Sequence, residues 1–278
     1  MSDAPDGLGD PSPLHDLTPA AISALLTTAR LGRSLTLKVE TESTNDDARR
    51  AAGEGAPDGH VVLADAQTRG RGSRGRTWLS PAGSDLYFSI VARLALPPAN
   101  LPPLTLVVGL AAAEALDELL PEGQRCAVKW PNDVWLGGHK LLGILVESAS
   151  LGGQLEPLVI GVGINVNRLG FPGDLDTPAS SLALVLGKPV ARAAVLATFL
   201  NRLEPWLDRF QREGPFAAID AVNERLALRG ERATCGELVG VVERVGAYGA
   251  LLLRGEHGLY ECVAGTLRPC GPPPSAPA

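Results

Sequence analysis

Two strand-like runs, LLGILVES (141–148) and LVIGVGIN (158–165), follow one another across a Gly152-Gly153 turn. Strands joined in that way pair as neighbours, which favours a mixed or antiparallel sheet with helices packed on it over a strict βαβ series. The other β-rich runs, TLKVE (36–40), HVVLAD (60–65) and LYFSIVA (86–92), precede a helical stretch, TLVVGLAAAEALDELL (105–120). Residues 191–213 carry Val195, Leu196, Phe199, Leu203, Trp206 and Phe210 at spacings of three and four, the pattern of a helix that Pro205 kinks or divides. Ahead of all these, Thr18-Pro19 supplies an N-cap and a proline at N1, with Gly32 as the stop after AAISALLTTARL. The expected class is α+β.

From about 226 the texture changes to short β runs punctuated by glycine: ELVGVVERV, a turn at Gly246-Ala247-Tyr248-Gly249, ALLLR, a turn at Gly255-Glu256-His257-Gly258, and LYECVAGTLR. This predicts four or five meandering strands, enough for a small barrel of SH3-like size. The expected organisation is a tail and short helix over 1–33, a main domain over 34–225, a small β domain over 226–270 and a disordered tail over 271–278. Both chain ends are too rich in Pro, Gly, Ser and Asp to bury a core. The residues ahead of TLKVE are too few for a winged DNA-binding domain.

A net charge of −6 gives no general attraction to nucleic acid or anionic lipid. The start of the chain lacks the basic and apolar regions of a signal peptide, and no run approaches the length that crosses a bilayer, so a cytoplasmic protein is expected. Four cysteines, Cys126, Cys235, Cys262 and Cys270, have neither zinc-site spacing nor the density of a disulfide scaffold, and read as reduced thiols.

Against that acidic background, TRGRGSRGRTW (68–78) places four arginines and three glycines in residues 69–76. Its glycines let backbone N–H groups approach an anion closely; a phosphate or carboxylate cradle, an RNA contact and a plain solvated loop are the three readings. It is not a Walker A loop, since GxxxxGK[ST] occurs nowhere in the chain. A second cluster, Lys129-Trp130-Pro131-Asn132-Asp133 with Lys140, is by itself a hairpin with Asn-Asp in the turn, although Lys140, with Gly143 three residues on, can point inward where another group nears the backbone. Ser43-Thr44-Asn45 reads as a helix N-cap or a binding turn. Gly161-Val162-Gly163-Ile164-Asn165 ends a strand whose glycines leave room for a flat ligand.

Taken in order, STN, Gln67 with GRGSRGRTW, KWPND, KLLGILVE and GVGIN closely resemble the biotin protein ligases over residues 40–270. The resemblance implies a catalytic domain like those of class II aminoacyl-tRNA synthetases and lipoate ligases, followed by an SH3-like barrel. It implies that biotin and ATP form biotinyl-5′-AMP, with Mg2+ accompanying the ATP, and that biotin then passes to one lysine of the biotin carboxyl carrier protein of acetyl-CoA carboxylase. Arg71, Lys140 and Asp133 are the implied catalytic residues. Biotin would be held by Ser43, Thr44, Asn45, Gln67, Arg71, Gly72, Ser73, Lys140, Gly143, Gly161 and Gly163. The nucleotide would meet Arg74, Arg76, Trp78, Lys129, Asn132, Asn165 and Arg268, with no metal ligand from the protein. The arginine-glycine loop would close over the adenylate. No membrane and no specific DNA partner are expected, in keeping with the monofunctional class; family members often pair as homodimers through the catalytic sheet.

The chain departs from the family pattern at Ser73, where an arginine is usual, and at Arg69, where a small residue is common. AGTLRPC replaces GEVSLR near the end, keeping Arg268 without the glutamate. Lipoate-protein ligases are the nearest alternative, and an RNA-binding module a more distant one.

Overall fold

The computed structural model describes residues 16–94, 98–148, 150–151, 154–155, 157–173 and 175–271. The terminal segments expected to be tails, apart from Asp16 and Gly271, and the Gly152-Gly153 turn lie outside the described residues.

Helix α1 (Pro19–Leu25) starts as expected, with the Thr18 hydroxyl accepting from the Ala21 amide at 3.1 Å. It stops at Leu25, well short of Gly32. Side chains from a distant helix end it: Asn201 bonds the Thr27 amide and the Leu25 carbonyl, and Glu204 accepts the amides of Ala29, Arg30 and Leu31. Those amides would otherwise need helical partners, and a side chain far along the chain cannot be read from local pattern.

Seven strands form one sheet in the order β1-β2-β3-β9-β6-β5-β4. Strand β1 (Leu35–Thr41) and β2 (Val61–Gln67) run parallel, joined through helix α2 (Thr44–Gly53). Every other neighbouring pair is antiparallel: β3 (Leu86–Ala92), then after helix α3 (Leu101–Asp117) the short β4 (Ala127–Lys129), β5 (Asp133–Leu136), β6 (His139–Glu147) and β9 (Leu158–Ile164). Between β6 and β9 a two-residue pair, β7 (Ser150–Leu151) and β8 (Gln154–Leu155), extends the hairpin. The sheet is therefore mixed, as the glycine turn predicts.

Helices α3 and α5 (Arg192–Glu213), with the short α4 (Leu182–Leu186) and α6 (Ile219–Glu224) nearby in the chain, complete the helical set. Helix α5 runs unbroken through Pro205 and is not divided in two. Leu200 and Leu203 before the proline and Leu207 and Phe210 after it are all buried in the main core, and that burial offsets the missing amide bond. Helix α2 packs a smaller cluster, Ala48 and Ala52 against Val62, Val91 and Val159, away from that main core.

The C-terminal strands β10 (Arg232–Cys235), β11 (Leu238–Val245), β12 (Leu251–Gly255), β13 (Gly258–Cys262) and β14 (Leu267–Pro269) form a separate antiparallel sheet in the order β13-β12-β11-β10-β14. Its five strands fit the small SH3-like domain expected. The segment entering it bridges the sheet edge: Val128 and Leu226 pair in parallel, with the Ala227 amide donating to the Val128 carbonyl at 2.9 Å. Covering β4 in this way leaves that edge unavailable to other chains. Trp130, 1% exposed, donates its indole N–H to the Gly249 carbonyl at 2.8 Å, so the turn after β4 is also fastened to the turn between β11 and β12 of the small domain.

Candidate active site

Strand β9 alternates by face: Ile160, Val162 and Ile164 belong to the main core, while Val159 belongs to the cluster under α2, the side on which Gly161 and Gly163 stand. Gly143 on β6 pairs with Gly163, so two side-chain-free positions lie next to one another. They form the floor of a cleft of about 680 Å3. The close neighbour of this floor is Trp78: a Cβ on Gly163 would stand 2.4 Å from its Cε2, and one on Gly143 2.7 Å from its Cζ3. Gly161 serves a different neighbour, since a Cβ there would meet Asn45 Oδ1 at 2.1 Å.

The STN turn is the next wall. Ser43 occupies the N-cap position of α2 but makes no capping bond with its side chain, although it is buried and lines the cleft. Thr44 donates its amide to Gln67 Oε1 at 2.9 Å, and Gln67 in turn donates to Ser80. Ser89, fully buried on β3, reaches both Thr44 and Asn45. Asn45 then donates to Glu147 at 2.8 Å. This chain of short polar groups fixes the turn across β2, β3 and β6.

The arginine-glycine stretch folds as a hairpin arm. Trp78 N–H bonds the Gly70 carbonyl, Gly72 N–H bonds the Arg76 carbonyl, and Arg71 bridges Thr77. A Cβ on Gly70 would come within 2.4 Å of the Trp78 carbonyl, so the glycine is what lets the two limbs close. Arg71 grips Asp46 with both guanidinium arms, at 2.6 and 2.8 Å, and reaches Glu147 at 3.1 Å. The Arg71 bond holds the Asp46 carboxyl below the usual carboxylate range. At the tip, Arg74 adopts a left-handed backbone (φ 60°) and donates to the Gly265 carbonyl and the Thr266 hydroxyl of the small domain. Arg76 turns back onto Ser73 at 2.9 Å, and the Ser73 hydroxyl also receives Asn132 Nδ2 at 3.3 Å. Ser73 thus links the arm to the KWPND turn.

That turn is the hairpin between β4 and β5, with a cis Trp130-Pro131 peptide and Lys129 paired across it with Asp133. Asn132 also donates to the Ile144 carbonyl at 2.9 Å, while its own carbonyl accepts the Ile144 amide. Lys140 brings its Nζ to 2.7 Å from Asp133 Oδ1 and 5.0 Å from the centre of the Trp78 ring. Lys129 is 2% exposed, and its Nζ lies 5.3 Å from the Trp135 ring. Burial is the main force pulling its ammonium down to about 8, against the Asp133 charge and with help from Lys140, Arg76 and Arg74.

Ser43, Thr44, Asn45, Gln67, Arg71, Gly72, Ser73, Arg76, Trp78, Asn132, Lys140, Gly143, Gly161, Gly163 and Asn165 all line the one cleft. Asp133 stands behind Lys140. Asn165 has its amide committed to the carbonyls of Lys140 and Ser180, at 3.2 and 3.1 Å. Arg74 and Arg268 are not part of the cleft lining: Arg74 reaches the small domain, and Arg268 lies 3.5 Å from Asp176, which does line the cleft. Asp46, Glu147 and Arg168 escaped the sequence reading. Arg168 lines the cleft, donates to Asp85 and to the Leu79 carbonyl at 2.8 Å each, and stacks 5.3 Å from Phe171. Among the described residues no group of three His, Cys, Asp or Glu side chains could hold a metal ion.

Comparison with known proteins identifies relatives of this chain. Residues 39–165 match the biotin/lipoate A/B protein ligase family. The biotin–[acetyl-CoA-carboxylase] ligase of Paracoccus denitrificans is 35% identical over 226 residues, covering 78% of this chain and 93% of its own. The bifunctional ligase/repressor BirA of Bacillus subtilis is 32% identical over 241 residues, covering 84% of this chain and 73% of that protein. Among solved structures, the biotin protein ligase of Aquifex aeolicus in complex with biotin and ATP superposes with a TM-score of 0.74 at 31% identity, covering 85% of this chain and 99% of that one.

Proposed function

The chain belongs to the biotin/lipoate A/B protein ligase family, among its biotin ligases, and from that membership we propose how its cleft works. The protein joins biotin to ATP as biotinyl-5′-AMP and transfers the biotinyl group to a lysine of the biotin carboxyl carrier protein of acetyl-CoA carboxylase. The observation that carries this reading is the convergence of Arg71, Arg76 and Lys140 on a cleft with a glycine floor.

Two anions must meet before reaction. A carboxylate oxygen of biotin attacks the α-phosphorus, the bond to the β-phosphate oxygen breaks, and pyrophosphate leaves. Fixed positive charge from Arg71 and Lys140 offsets the repulsion between the reactants and the charge that develops in the transition state. Both cations are already paired with carboxylates, which hold their side chains in place between turnovers. The STN turn and Gln67 suit the ureido group, and the glycine floor suits the bicyclic ring. Trp78, Arg74, Arg76, Lys129, Asn132, Asn165 and Arg268 are the residues we assign to the nucleotide side.

In the second step the neutral acceptor amine attacks the acyl carbon and AMP leaves; we assign Asp133 a part in handling the proton. Magnesium would enter with the triphosphate, as part of the substrate. No helix among the described residues is long and apolar enough to cross a membrane.

Pyrophosphate exchange into ATP tests the reading. It should require biotin and ignore lipoate, and a purified carrier domain should become streptavidin-reactive. Exchange driven by lipoate instead would assign the chain to the lipoate ligases.

A further inference from the structure

Two separate loops over the cleft reach one short stretch of the small domain, residues 265–268. Arg74, at the tip of the arm, donates to the Gly265 carbonyl and the Thr266 hydroxyl. Asp176, which also lines the cleft, lies 3.5 Å from Arg268. The stretch between them is firmly seated. Leu267 is buried, Thr234 and Cys235 pair with Arg268 and Leu267, and a Cβ on Gly265 would stand 2.3 Å from Cys235 Sγ. The same stretch approaches the KWPND turn, where Trp130 lies 3.9 Å from that position and is itself fastened to Gly249.

We infer that residues 265–268 are a clasp that holds the arm and the cleft wall at Asp176 together over the acyl-adenylate, so that the small domain sets how long the intermediate is retained. The inference rests on the proposed ligase reaction. An arm tip must move for substrate to enter and for the carrier lysine to arrive, and a tip fastened at one residue can open without disturbing the base at Gly70 and Trp78. Arg74 meets the clasp through charge-assisted bonds to neutral oxygens, strong enough to favour closure and lacking the counter-charge that would lock it. The Asp176–Arg268 pair is solvent-exposed and adds a weaker second point.

The test uses the full chain with biotin and ATP and no carrier. The rapid burst of pyrophosphate reports chemistry, and the later steady appearance of biotinyl-5′-AMP in solution reports escape of the intermediate. Thr266→Arg opposes Arg74 with like charge, and should raise steady release about tenfold, roughly the worth of one charge-assisted hydrogen bond, while the burst stays within twofold. Thr266→Glu gives Arg74 an ion-pair partner and should slow release. Asp176→Asn, at an exposed position that the fold does not depend on, should raise release by a smaller factor.

Opposite shifts from the two Thr266 variants support the clasp. Release unchanged in both, shifts of the same sign, or a lost burst in a folded variant would each overturn it. A wild-type chain with no biotin-dependent burst would instead refute the ligase reading on which the clasp depends.

Discussion

Lys140 Nζ stands 2.7 Å from the Asp133 carboxylate, and both residues are held by neighbouring strands of one sheet. The ammonium is therefore aimed before any substrate arrives, and no loop movement is needed to bring it into place. Lys140→Ala should lose biotin-dependent pyrophosphate exchange by at least about a hundredfold, the usual loss for a transition-state charge contact, with its melting curve nearly intact. A folded variant that exchanges at the wild-type rate would remove Lys140 from the chemistry.

The arm should change its dynamics on binding. Its amides at 69–77 are held by a few hairpin bonds, and most of its side chains are exposed or half-buried. Hydrogen exchange over this segment should slow markedly when biotin and ATP are added. Equal protection with and without ligand would contradict a closing arm.

The glycine floor predicts a distinct failure. At Gly163→Ala the new methyl would overlap the Trp78 ring, an overpacking cost of about 1–3 kcal/mol unless the indole swings out. Trp78 is half-buried and can move, so the fold should survive while biotin affinity drops and the indole emission shifts to the red. The shift should vanish in a Trp78→Phe background. An unaltered emission spectrum in Gly163→Ala would show that the ring does not rest on the strand.

Lys129 gives the folded state a defined response to alkali. Its folded value, about 8, lies below the ordinary 10.5, so the unfolded chain binds the proton more tightly. Below pH 8 the lysine is charged in both states and the full cost of burying that charge, roughly 3 kcal/mol, is present. The cost falls away between pH 8 and 10.5 as the folded state releases its proton first. The difference in urea stability between Lys129→Met and wild type should therefore be largest below pH 8 and shrink toward pH 10.5. A difference that stays flat across that range would count against a depressed Lys129.

Much of the cleft was legible because its residues lie in short, composition-biased turns. STN, KWPND and the alternating glycines of β9 each carry their signal within a few residues. Asp46 and Glu147 carried none: Asp46 reads as an acidic residue suited to the first turn of α2, and Glu147 as the polar end of a strand. Their partnership with Arg71 exists only after three distant segments meet. Arg168 was hidden for the same reason, since Asp85 lies 83 residues away. Ser73, which reads as the loss of an arginine, proves to be the acceptor that joins Arg76 to Asn132. The early end of α1 and the unbroken α5 show the same limit from the fold side. Tertiary partners, Asn201 and Glu204 in one case and core burial in the other, overrode what helix-end signals and a proline dictate locally.

Trp130 begins the turn that presents Asn132 and Asp133, yet its indole is anchored on a turn of the C-terminal domain. A chain cut near residue 228 would thus leave each fragment with half of a lock: one with a bare aromatic key, the other with an empty socket. Engineered hybrids that exchange the small module between relatives must carry that socket with them, and a two-piece version of the protein has a ready-made recognition element for reassembly.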